Sequence, residues 1–132
     1  MKKSFSCVCF ALLLLAIPSG LLSAQDVDIS GTWVGATYIP DMPEPDEITL
    51  ILEKDNGGYL GTISDMMGMA DDAECEEIVF EDKTLSFIIQ VFTGYEFLEI
   101  SVTLTIDGNS MSGTWQAQDG SMGDIELERV FE

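Results

Sequence analysis

Residues 96–117, EFLEISVTLTIDGNSMSGTWQA, alternate apolar and polar side chains on both sides of an Asp-Gly-Asn break. Leu98, Ile100, Val102, Leu104 and Ile106 fall on one parity, with Thr103 and Thr105 on the other. That period of two is the signature of a half-buried strand, because successive side chains point to opposite faces of a sheet. Asp107-Gly108-Asn109 supplies residues that tolerate positive φ, as a tight hairpin requires. The stretch therefore predicts two antiparallel strands, Glu96–Ile106 and Ser110–Ala117, with the same face turned inward.

Working outward in both directions, the same grammar repeats. Strand-like runs cover Gly31–Tyr38, Glu47–Glu53, Tyr59–Ser64, Glu77–Glu81, Leu85–Phe92 and Met122–Phe131, and no helical period of apolar residues intervenes. Most links are short and rich in Asp, Asn and Gly, among them DNGG, DKT, TG and QDG. Eight strands joined in sequence make an antiparallel meander, which at this length closes most naturally into an up-and-down barrel. A two-sheet β-sandwich is the alternative.

Parity assigns the faces. The inward set adds Ile48, Leu50, Leu52, Ile78, Phe80, Leu85, Phe87, Ile89, Val91, Met111, Trp115, Ile125 and Leu127. Thr49, Glu53, Glu77, Glu81, Ser86, Gln90, Gln116, Glu126 and Glu128 face outward. Ile51, Val79, Ile88 and Phe92 also fall on the outer parity, where they would form a small apolar patch.

The N-terminal segment reads differently. Lys2 and Lys3 precede an apolar run, Phe5–Ile17, followed by Pro18-Ser19-Gly20 and a small-residue cleavage site after Ala24. Residues 1–24 are thus expected to be a secretory signal peptide, leaving 25–132 as one barrel domain, secreted to a periplasm or the extracellular space, with no membrane span after cleavage. The mature chain would carry 24 acidic residues against Lys54, Lys83 and Arg129. A field of that sign repels phosphate backbones, which excludes nucleic acid and leaves cations and basic proteins as the favoured company. It would also keep one cysteine, Cys75, flanked by Glu74, Glu76 and Glu77. A single thiol forms no internal disulfide, and the surrounding carboxylates disfavour the thiolate.

Gly-Thr-Trp occurs twice, at Gly31–Trp33 and Gly113–Trp115. A glycine near a strand start lets a coiled barrel strand bend, and the indole two residues on would plug a barrel end. DISGTWVGATY, with Arg129 on the inward parity of the last strand, resembles the Gly-x-Trp pattern of the lipocalin-like (calycin) superfamily. The whole chain is similar to a small bacterial secreted module opening on SGTWxG and ending in an ER strand. The resemblance implies a barrel whose first-strand Trp33, after Gly31, packs against Arg129 across one end, gaining a cation–π contact.

Little in the chain points to catalysis. There is no histidine, no nucleophile elbow and no phosphate-cradling loop, so neither an activated nucleophile nor a positioned acid–base pair can be named and no enzyme is expected. Asp26–Gly31 imitates the first half of a calcium loop, yet Thr37 stands where the bidentate Glu belongs. DMMGMADDAEC, Asp65–Cys75, mixes soft sulfur donors with hard carboxylates and suits no one ion well. It reads first as an acidic connection, second as a methionine lid or partner contact, and last as a metal site. No metal and no cofactor are expected. The expected role is binding of a small apolar ligand by Thr37, Leu52, Phe80, Phe87, Ile89 and Leu98 inside, with Met66 and Met69 at the rim. The alternative is a protein-interaction module that meets a secreted or envelope protein through its acidic surface or outer apolar patch.

Overall fold

The computed structural model describes residues 27–131, so the expected signal peptide lies outside the described residues. Nine antiparallel strands form one sheet: β1 (Gly31–Tyr38), β2 (Asp46–Asp55), β3 (Gly58–Asp65), β4 (Ala73–Glu74), β5 (Glu76–Glu81), β6 (Thr84–Phe92), β7 (Phe97–Asp107), β8 (Ser110–Ala117) and β9 (Met122–Arg129). The hydrogen-bonded order is β4-β3-β2-β1-β9-β8-β7-β6-β5. Every neighbour but one is also a neighbour in sequence, and the exception, β1 with β9, curls the meander round. The result is a nearly closed barrel.

The ninth strand arises from a change of partner within one extended segment. Ala73 and Glu74 pair with β3, Cys75 follows, and Glu76–Glu81 pair with β6. β4 and β5 are thus two parts of one strand that crosses from one edge of the sheet to the other. Cys75 sits at the crossing, its N–H donating to the Gly61 carbonyl at 2.9 Å. An extra residue at Glu77, with φ +53°, makes a bulge at the start of β5. Bulges bend a strand and sharpen its twist, which swings β5 away from β3. Side chains bridge the gap so opened: Tyr59 and Phe80 meet edge to face, ring centroids 6.1 Å apart.

The inward parity anticipated above is largely the core. Leu50, Leu52, Leu85, Phe87, Val102, Leu104, Ile106, Met111 and Leu127 are buried, while Ile78 and Phe80 at the seam are half-buried. Of the four outer apolar residues, Ile51 stands apart, whereas Val79 and half-buried Ile88 lie on the paired strands β5 and β6. Ile51 lies on β2 and Val79 on β5, with β3 between them. Phe92 instead faces Phe97 across the β6–β7 pair, ring centroids 5.2 Å apart.

One end is plugged. Trp33 is fully buried and its Nε1 donates to the Ile29 carbonyl at 3.1 Å. The Arg129 guanidinium lies 4.4 Å from the indole centre. Its nitrogens donate to the carbonyls of Ser30 (2.7 Å) and Asp28 (3.0 Å) and to Asn109 Oδ1 (3.2 Å). This charged fork ties the segment before β1, the β7–β8 turn and β9 together. The two Gly-Thr-Trp copies are not equivalent. Gly31 takes φ +127° beside Arg129, whereas a Cβ on Gly113 would collide with the Thr103 carbonyl. β1 and β8 run in the same direction, both antiparallel to β9, but Trp33 pairs with Arg129 at the end of β9 and Trp115 with Gly123 near its start, so Trp33 plugs one end and Trp115 lies toward the other.

Candidate functional site

The end opposite the Trp33 plug holds a cavity of about 300 Å³. Its wall is built from the ends of strands that alternate apolar residues inward: Ile48 on β2, Ile63 on β3, Ile89 and Val91 on β6, Ile100 and Val102 on β7, and Ile125 on β9. Leu98 and Ala117 complete the sides, and Met69 and Ala70 roof it from the β3–β4 loop. The Met69 carbonyl accepts the Phe92 N–H at 2.9 Å, which pins that loop to β6 across the seam. Larger residues nearer the plug, Phe87 and Leu85 among them, fill the other half of the barrel.

Four of the residues expected to bind a ligand converge here: Thr37, Ile89, Leu98 and Met69 line the cavity. The other four do not. Leu52 and Phe87 pack in the filled half, because the alternation that places them inward carries no information on depth along the barrel. Phe80 lies in the seam beside a second, more polar groove of about 610 Å³ near the β2–β3 and β5–β6 turns. Met66 is 58 % exposed and is not part of the cavity wall.

Thr37 contributes less polarity than its position suggests. Its hydroxyl donates to the Asp124 carbonyl and accepts from Trp115 Nε1, both at 2.7 Å. Both partners are internal, so Thr37 orients the indole that forms one wall.

Besides the exposed Asp41, two aspartates bring unpartnered buried oxygens to the wall. Asp46, the first residue of β2, is 1 % exposed, and Asp65 ends β3; both line the cavity. Asp65 Oδ1 accepts the Ala70 N–H at 2.9 Å and so shapes the roof. Asp65 Oδ2 and Asp46 Oδ1 are buried oxygens that no donor reaches. The carboxyl groups lie close enough to share a hydrogen bond, which forms only when one of them carries a proton. Burial, that shared bond and the Asp65 charge push Asp46 up to about 7, against weaker opposition from the Met67 and Met66 N–H groups. Like-charged carboxylates in one dry site do not both ionise readily.

The sequence reading missed this pair, although a signal was present. Asp46 stands on the parity of Ile48, Leu50 and Leu52, and Asp65 on that of Ile63. Acidic residues at strand ends read as turn residues, and among so many carboxylates these two did not stand out. Among the described residues no three acidic or cysteine side chains converge on a point that would hold a metal ion. Asp28, in the calcium-like stretch, instead accepts hydrogen bonds from the Ser30 N–H (2.9 Å) and hydroxyl (2.7 Å). Asp26 lies outside the described residues.

Among solved structures, a de novo designed fluorescence-activating β-barrel is similar, with a TM-score of 0.53 and 17 % identity over 76 % of this chain and 93 % of the design. The chain folds as a β-barrel. At that identity the likeness concerns the fold alone. No known protein family matches the chain, and no curated protein matches it in sequence.

Proposed function

We propose that this protein is a secreted, non-enzymatic, lipocalin-like binding protein that holds a small apolar ligand in the barrel. The observation that carries the reading is the cavity beneath Met69 and Ala70. Its volume, about 300 Å³, reaches the lower bound of ordinary ligand sites, and its wall is mostly apolar with few polar groups. Cavities of this kind are rare in close-packed interiors, where voids larger than a water molecule are few.

Titration with the neutral dye N-phenyl-1-naphthylamine tests it. The expected result is a saturable one-to-one rise in fluorescence, lost in Ala117→Phe, which puts a ring into the cavity. An unsaturable rise, or one that Ala117→Phe leaves intact, would sink the reading.

A second reading rests on a separate observation. Phe92 and Phe97 form an outward pair beside Tyr95, which is 94 % exposed. Three aromatic rings at one turn would suit contact with a secreted or envelope protein, since exposed apolar patches mark interaction sites. The two readings are compatible, because the turn stands beside the cavity mouth at Thr93.

A further inference from the structure

The aspartate pair narrows the ligand class, and the inference rests on the cavity reading above. Each buried polar atom in a native structure is expected to have a partner, and those without one call for a physical reason. Here two unpartnered carboxylate oxygens, Asp46 Oδ1 and Asp65 Oδ2, belong to residues of one wall of an otherwise apolar cavity. Among the described residues no basic side chain lines that cavity, so no positive charge there neutralises them. We propose that the cavity binds an organic cation, a primary or secondary ammonium on an apolar body, with the ammonium between Asp46 and Asp65.

The chemistry is complementary at each point. An ammonium offers two or three N–H donors to oxygens that have none, and its charge replaces the proton the pair would otherwise share. The apolar body lies against Ile48, Ile89, Ile100 and Trp115. With Asp46 raised to about 7, the unliganded pair is partly protonated at neutral pH and holds a proton almost fully at pH 6. Arrival of the cation expels that proton to solvent, so binding of an ammonium strengthens as pH rises through about 7. The titratable groups facing Asp46 in the wall are Asp65 and Asp41; β1, β6, β7, β8 and β9 contribute none.

Isothermal titration calorimetry of the wild-type protein with n-octylammonium, 1-octanol and octanoate tests the proposal. Octylammonium should bind at least about tenfold tighter than 1-octanol, as a charge-assisted hydrogen bond implies, and octanoate should bind weakest. Repeating the octylammonium titration at pH 6 in buffers of different ionisation enthalpy should report release of about one proton per ligand bound. In Asp46→Asn the preference over octanol and the proton release should both disappear. Equal affinity for octylammonium and octanol would overturn the cation assignment while leaving the apolar cavity standing. Failure of all three probes to bind would overturn both readings. A preference that survives in both Asp46→Asn and Asp65→Asn would trace to the acidic exterior and would overturn the assignment too.

Discussion

Arg129 carries the load at one end of the barrel. Its guanidinium meets two backbone carbonyls, one side-chain amide oxygen and the face of Trp33. A planar fork of five donors can serve all of these at once, which a lysine ammonium cannot. Arg129→Met keeps the aliphatic stem against the indole but strands the carbonyls of Ser30 and Asp28. It should cost about 2 kcal/mol in urea unfolding, and Arg129→Lys should recover less than half. A loss below about 0.5 kcal/mol would mean that solvent replaces the clamp without penalty. Gly31, Trp33 and Arg129 were legible from the sequence through the resemblance of the Gly-x-Trp opening, together with the inward parity of Arg129, the lone basic residue of the last strand. Asp46 was not, because its meaning depends on Asp65, a partner brought beside it only by the β2–β3 register.

Strands were the easiest elements to read and their exchange of partners the hardest. Alternation places Leu98 to Ile106 inward with no knowledge of neighbours, and the short turns specify who pairs with whom. No local pattern announces that Ala73–Glu74 pair with one strand and Glu76–Glu81 with another. That switch depends on the bulge at Glu77 and the geometry of closure. Cys75 marks the point and gives the seam a reporter. Burial, and then the Glu74 charge, push its thiol up to about 12, so the folded protein should resist disulfide reagents at pH 8. Labelling of Cys75 should therefore proceed through local opening of the seam. Phe80→Ala removes the ring that meets Tyr59 across the gap. It should speed labelling by more than its effect on global unfolding accounts for. An unchanged labelling rate would place the opening elsewhere.

At the scale of the whole molecule, charge and pH dominate. Acid residues outnumber basic ones by 24 to 5 over the full sequence, and self-repulsion among them opposes compaction at neutral pH. Asp46 adds a buried contribution of the same sign. Its folded value, about 7, lies above its ordinary value of 3.8, so the folded state holds a proton where the unfolded chain has released it. The stability so contributed is complete below about 4 and is lost as pH rises through about 7. Urea midpoints should fall from pH 5 to pH 8 in the wild type and fall less in Asp46→Asn, leaving the variant the more stable of the two at pH 8. Parallel profiles would show that surface repulsion alone sets the slope. The pairing of β1 with β9 reaches further than stability. Thr32 accepts the Val130 N–H at 2.8 Å, so the two ends of the described chain leave the barrel side by side. The fold therefore has a circular rather than a linear order of strands. A chain joined there and reopened at the Gly94 turn would keep every ladder while moving its termini to the cavity mouth, where a fused domain would become a cap over whatever the barrel holds.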